Sequence, residues 1–246
     1  MILEATFASN LVQDLVATAI TFALALAWLR SMDLLAARGL IEPRLSRKII
    51  HIGTGPLFVL CWFLYSPAAS ARGAAALVPL AITGQFALVG LGRVRDEAAV
   101  QAMTRHGDRR EILRGPLVYG LVFVLCTLAF WRTSPAGIAA LMILCGGDGL
   151  ADVLGRRFGR RRLPHNPTKS WVGSTAMFVG GFVLAAAMLL VFQAGGLLRD
   201  PRPMADWLAS VAIVAAGSTI VESLPVRDLD NLTISATAVG LGLLVF

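Results

Sequence analysis

Eight long apolar segments constrain this chain more than any other feature. They fall near residues 10–29, 49–66, 73–92, 115–131, 134–154, 171–193, 205–221 and 232–246. Crossing a bilayer core takes about 20 residues in a helix, with a lower limit near 17. A lipid-facing segment must satisfy its own backbone, and no strand alternation points to a barrel. The expected fold class is therefore all-α, a polytopic integral membrane helical bundle. Eight spans are expected, with seven as the alternative because the last segment is short. Charged residues make up 15% of the 246, against about 25% in an ordinary soluble domain. No hydrophilic stretch is long enough for a second domain, so residues 1–246 read as one integral membrane domain. The N-terminus, MILEATFASN, lacks the basic region expected of a cleavable signal.

Charge placement gives an orientation. One set of alternate loops holds Arg30, Arg38, Arg44, Arg47, Lys48, Arg93, Arg95, Arg105, Arg109, Arg110, Arg114, Arg156, Arg157, Arg160, Arg161, Arg162, Lys169 and Arg227. The other set holds only Arg72, Arg132, Arg199 and Arg202. The positive-inside rule puts the first set in the cytoplasm and, with eight spans, both termini outside. The expected location is a bacterial-type inner or plasma membrane, with the polar site facing the cytoplasm. The same bias accounts for the net charge of +7 without nucleic acid as a partner. Cys61, Cys126 and Cys145 lie in apolar segments without a CxxC pair, so they read as small core residues.

Against this background the stretch CGGDGLADVLGRRFGRRRLPHNPTKSWVGS, residues 145–174, stands out. Acids near an apolar run are costly and usually functional. Asp148 and Asp152 are spaced i and i+4, which puts both carboxylates on one helix face. Asp148 lies roughly 21 Å along the fifth span, near its charge-rich end. Such carboxylates suit a hard cation such as Mg²⁺, which favours oxygen ligands and phosphate co-ligands. Arg156 is placed to pair with Asp152, so Asp148 is the stronger metal ligand. The loop that follows supplies the anion side. Arg156 and Arg157 offer forked donors and Lys169 a point charge. Gly147 and Gly149 flank Asp148, and Gly155 allows close backbone approach. Thr168 or Ser170 is expected to cap the sixth span. Its N-terminus, with Gly173 and Ser174 in the first turn, faces the same side as a phosphate seat. Asn166 completes the polar run NPTKSWVGS. GxxxxGK[ST] is absent, so this is no Walker A loop.

Two more clusters lie on that side. VESLPVRDLDNLT brings Glu222, Ser223, Asp228, Asp230 and Asn231, with an ordinary acidic loop as the competing reading. RKIIHIGTG places His51 beside Arg47 and Lys48 at the entry of the second span, as a hydrogen-bonded structural residue or as a base. His106 and His165 lack partners at zinc spacing.

Taken in order, RKIIHIGTG, GDRREILRGPLVYG, GDGLADVLGRRFG, LPHNPTKSWVGS and VESLP…DNLT resemble the phytol kinase and farnesol kinase branch of the polyprenol kinases. That group is related to dolichol kinases and membrane CDP-diacylglycerol synthases. The chain lacks the Lys-Asp and Gly-His-Gly-Gly signature that ends the synthases, which favours the kinase side. The resemblance implies CTP as phosphoryl donor, Mg²⁺ as cofactor and an isoprenoid alcohol, held from the lipid bilayer, as acceptor. It implies that Asp148 and Asp152 form the acidic motif, with Glu222 joining them as a metal ligand. It also implies that Arg156, Lys169 and Ser170 belong to the nucleotide motif, and Glu222, Asp230 and Asn231 to the C-terminal one. Asp230 or His51 is the expected acceptor of the hydroxyl proton. A cytidylyltransferase acting on a lipid phosphate, or a transporter of an anionic substrate, are the alternatives.

Overall fold

The computed structural model describes residues 9–104, 106–198, 202–226 and 229–246. Arg105, Arg199, Arg227 and Asp228 lie outside the described residues. The chain forms two compact units, residues 1–129 and 130–246. Among the described residues, seven helical stretches are long and apolar enough to cross a membrane, and the protein is an all-α polytopic membrane bundle.

The first unit contains α1 (Asn10–Ala37), α2 (Pro43–Leu60), α3 (Ala71–Gly90), the short α4 (Glu97–Met103) and α5 (Gly115–Phe130). Helix α1 runs on past its apolar segment and α2 begins before its own, so the two include Arg30, Arg47 and Lys48. Hydropathy marks the stretch that suits lipid, while backbone hydrogen bonding carries a helix on into its polar turns. Ser9 caps α1, and Pro43 starts α2, where its missing N–H costs nothing. Asp96 caps α4 by accepting from the Ala99 N–H at 2.9 Å, giving the basic loop its short helix. A buried acid not singled out from sequence, Asp14, fastens this unit. Its two oxygens accept from the Ser66 N–H (2.8 Å) and hydroxyl (3.0 Å), while Gln13 donates to the Leu64 carbonyl at 2.9 Å. An acid within a span here closes the exit of the neighbouring helix.

The second unit contains α6 (Pro135–Met142), α7 (Gly149–Phe158), α8 (Trp171–Ala194), α9 (Met204–Ser223) and α10 (Asp230–Val245). Helices α6 and α7 are joined without a break by a π turn, Ile143–Asp148. Together they form one span, Pro135–Phe158, the most enclosed of the seven. It packs along α8; α9 packs against α8 and α10. Glycines set the spacing. A Cβ on Gly146 would lie 2.7 Å from the Gly180 carbonyl oxygen, and one on Gly180 would lie 2.6 Å from that of Gly146. Helix α10 has 16 residues, about 24 Å, short of the roughly 30 Å hydrocarbon core.

One element falls outside the all-helical expectation. Arg162–Leu163 (β1) and Asn166–Ser170 (β2) form a small antiparallel hairpin between α7 and α8. Two and five residues are too few for period-2 alternation to register. Pro164 and Pro167 keep this stretch out of a helix and leave it extended.

Candidate active site

Four charge-bearing groups of the second unit, Asp148, Lys169, Glu222 and Asp230, converge where the start of α7, the hairpin, α9 and α10 meet. The Lys169 ammonium, on β2, donates to Glu222 Oε1 near the end of α9. It also lies 3.4 Å from Asp230 Oδ2, at the first residue of α10. Asp148, at the end of the π turn, acts electrostatically on both Lys169 and Glu222. Burial alone would lower the Lys169 pKa, but Glu222, Asp230 and Asp148 outweigh it and hold it above its usual value. The ammonium therefore stays charged through the neutral range. Glu222 is 4% exposed, and its second oxygen, Oε2, has no hydrogen-bond partner.

Positioning starts with Ser170, the last residue of β2. It is the N-cap of α8, its Oγ accepting from the Gly173 N–H at 3.1 Å, which selects Ser170 over Thr168. The Trp171 N–H donates to the Arg161 carbonyl at 3.1 Å. Two of the helix N–H groups expected to face phosphate are thus used within the protein. Asn166 is buried at the other end of β2. Its amide donates to the Ser223 carbonyl at 3.0 Å, and its Oδ1 accepts from the Thr168 N–H (3.1 Å) and hydroxyl (2.6 Å). His165 Nε2 lies 3.0 Å from Ser223 Oγ. Asn166 and His165 thus latch the hairpin to α9 and hold Lys169 against Glu222. Sequence pattern gives no sign of this latch, because its partners are 57 and 58 residues apart.

Asp148 and Asp152, paired in sequence, take different partners. Asp148 joins the Lys169 cluster, whereas Asp152 Oδ1 accepts from Arg156 Nε at 2.6 Å. Arg157 is exposed and its guanidinium lies over the Phe158 ring. The glycines around them serve packing. A Cβ on Gly147 would meet Met177 Sδ at 2.6 Å, and one on Gly155 would meet Gly173 Cα at 3.1 Å. The close approach that Gly147, Gly155 and Gly173 allow is of one helix to another. Gly149 is buried in the first turn of α7. Ser174 Oγ is buried without a partner, and the Asn231 carbonyl accepts from the Ser235 hydroxyl at 2.7 Å. His51 belongs to the first unit, where its ring packs on Tyr119 (centroids 4.4 Å apart) and its carbonyl accepts from the Tyr119 hydroxyl at 2.8 Å.

Among the described residues no three His, Cys, Asp or Glu side chains form a ready metal centre. The donor chemistry nonetheless suits a divalent cation. Three carboxylates, Asp148, Glu222 and Asp230, act on the one ammonium of Lys169. Mg²⁺ commonly takes one or two carboxylates and completes its shell with phosphate and water.

The fold and this cluster define a helical membrane protein with a charged site at the end of its spans. Its relatives narrow that class. Over 241 residues the chain is 43% identical to the probable phytol kinase, chloroplastic, of Triticum aestivum, covering 97% of this chain and 80% of that protein. Over 240 residues it is 38% identical to the farnesol kinase, chloroplastic, of Arabidopsis thaliana, covering 97% and 77%. Over 239 residues it is 38% identical to phytol kinase 1, chloroplastic, of the same plant, covering 95% and 77%. The chain belongs to the phytol and farnesol kinase family. No family model matches it. No solved structure matches it.

Proposed function

We propose that this protein transfers the γ-phosphoryl group of CTP to the hydroxyl of an isoprenoid alcohol (phytol, geranylgeraniol or farnesol), giving the prenyl monophosphate and CDP. Kinase activity toward an alcohol follows from family membership. The choice of CTP rests on the motif resemblance. The observation that carries the reading is Lys169, held charged between Glu222 and Asp230 with Asp148 nearby.

Phosphoryl transfer needs little covalent chemistry from the protein; positioning and electrostatics do most of the work. Lys169 neutralises charge that develops on the transferred group. The exposed cations of the 156–162 segment draw the nucleotide to this end of the bundle. The alcohol oxygen forms a bond to the γ-phosphorus as the bond from that phosphorus to the β-γ bridging oxygen breaks. The hydroxyl proton passes to a carboxylate of the cluster, Asp230 or Glu222, each already beside Lys169. Asp148 would hold Mg²⁺, which would supply positive charge to offset that of the phosphate groups. The alcohol's tail lies in the bilayer and its head at the charge-rich face. Loop charges support the cytoplasmic side of a bacterial-type membrane for that face; the plant relatives are named chloroplastic.

The test is reconstituted protein with labelled CTP, Mg²⁺ and a panel of prenols. CDP and prenyl monophosphate are expected, and Asp148→Asn should lower turnover by at least tenfold. Pyrophosphate release would mark cytidylyl transfer instead. Wild-type turnover by Asp148→Asn would remove it from the metal role.

A further inference from the structure

Most hydroxyls buried in these helices follow a pattern; Ser174, in the first turn of α8, departs from it, and so does one serine deep within a span. Thr21, Thr83 and Thr127 donate to the carbonyl four residues back. Ser235 does the same, and Ser210 donates to the Val245 carbonyl. Ser218, on α9, is 0% exposed, and its Oγ has no hydrogen-bond partner. The adjacent Thr219 makes the usual bond, to the Ala215 carbonyl at 2.8 Å, so the backbone there is available to a hydroxyl. A buried polar group left unsatisfied is destabilising, and the penalty persists in an apolar span.

A second unsatisfied oxygen lies one helical turn away. Ser218 and Glu222 are spaced i and i+4 on α9, about 6 Å apart along the axis and on one face. Glu222 Oε1 is taken by Lys169, and Oε2 has no partner. On the inner side the same stripe continues as Val211, Val214 and Ala215, all buried. The stripe thus runs from hydrocarbon, through a hydroxyl, to a carboxylate beside the lysine.

We propose that Ser218 Oγ and Glu222 Oε2 together seat the hydroxyl of the acceptor alcohol. An alcohol has one proton to donate and lone pairs to accept, so a single hydroxyl satisfies both orphaned atoms. It donates to the carboxylate and accepts from the serine. Its carbon chain then extends along the Val214 and Val211 side, away from the charges. The hydroxyl is held next to Lys169, where a transferred phosphoryl group would be neutralised. Ser218 is a binding residue that fixes the acceptor oxygen. The assignment rests on the prenol kinase reading for its choice of alcohol, and it narrows the proton acceptor to Glu222.

The test uses full-length protein in nanodiscs, with geranylgeraniol and the matching hydrocarbon that lacks the hydroxyl. Wild type should gain thermal stability from the alcohol beyond that from the hydrocarbon, as ligand linkage requires. In Ser218→Ala that difference should vanish. The KM for geranylgeraniol should rise about tenfold, the loss expected for one hydrogen bond, and the KM for CTP should hold. Its ligand-free midpoint should equal or exceed wild type, because an unsatisfied buried hydroxyl has been removed. Ser218→Val, which fills the seat, should reduce alcohol binding further. Thr219→Ala, one residue along, should behave as wild type. An unchanged alcohol KM and hydroxyl preference in Ser218→Ala would overturn the proposal, leaving a buried water as the occupant. Equal rises in both KM values with a lower midpoint would also overturn it, in favour of packing. A wild type that prefers the alcohol but phosphorylates no prenol would keep the seat and overturn the kinase reading.

Discussion

Lys169 is the residue on which the cluster's chemistry and its stability both depend. Replacing it with Met leaves Glu222 as a buried carboxylate without its cation. Breaking such a pair costs roughly 3–5 kcal/mol, and the lower end applies because the ammonium is 24% exposed. Lys169→Met should therefore lower the thermal midpoint and abolish transfer. Adding Glu222→Gln should restore much of the midpoint and none of the transfer. A Lys169→Met variant as stable as wild type would show that the ion pair is not structural. The raised Lys169 pKa also fixes a pH dependence. A lysine whose folded pKa lies above its ordinary 10.5 contributes stability fully below that value and loses it as pH rises through the folded pKa. Comparing thermal midpoints of wild type and Lys169→Met from pH 7 to 11 should give a constant difference that narrows only above about 10.5. Much of this site was legible as residue types: Asp148, Lys169, Glu222 and Asp230 each stood out as polar groups beside apolar segments. Ser218 did not, because one serine in a span looks like any other until its missing partner is seen.

At the scale of elements, two devices hold the cluster in place. The first is the hairpin latch. Asn166→Ala removes the bond to the Ser223 carbonyl and the local bonds to Thr168. With the strand loosened, Lys169 should be poorly placed, so the KM for CTP should rise and the midpoint should fall. An unchanged KM in a destabilised Asn166→Ala protein would separate the latch from nucleotide binding. The second is the glycine contact between the fifth span and α8. Gly146→Ala would put a methyl 2.7 Å from the Gly180 carbonyl oxygen, a backbone atom that cannot swing aside. Overpacking of this kind costs roughly 1–3 kcal/mol, measurable as a lower unfolding midpoint in detergent. The glycines were visible in sequence, but their use was not. A glycine next to an acid reads equally well as room for a ligand or as room for a helix, and only the neighbour decides. The π turn was likewise invisible, because hydropathy counts residues and does not register the hydrogen bond that shifts by one.

For the whole molecule, the charge pattern makes a prediction about sidedness. A cysteine introduced at Arg160 should react with an impermeant thiol reagent from the side that supplies the nucleotide. One introduced at Arg72 should react only from the opposite side. Labelling of both from one side would overturn the orientation. Sequence by itself determined that the chain is helical and membrane-bound and where most of its spans fall, and it singled out polar residues for a candidate site. Those properties follow from local hydropathy and from the cost of burying charge, and both can be read along a chain. Tertiary structure decided that Asp148 belongs to the lysine cluster while Asp152 belongs to Arg156, that a two-stranded hairpin carries Lys169, and that Glu222 and Ser218 each keep an oxygen without a partner. These depend on contacts between residues far apart in sequence, where packing geometry chooses among partners that residue types alone leave equivalent.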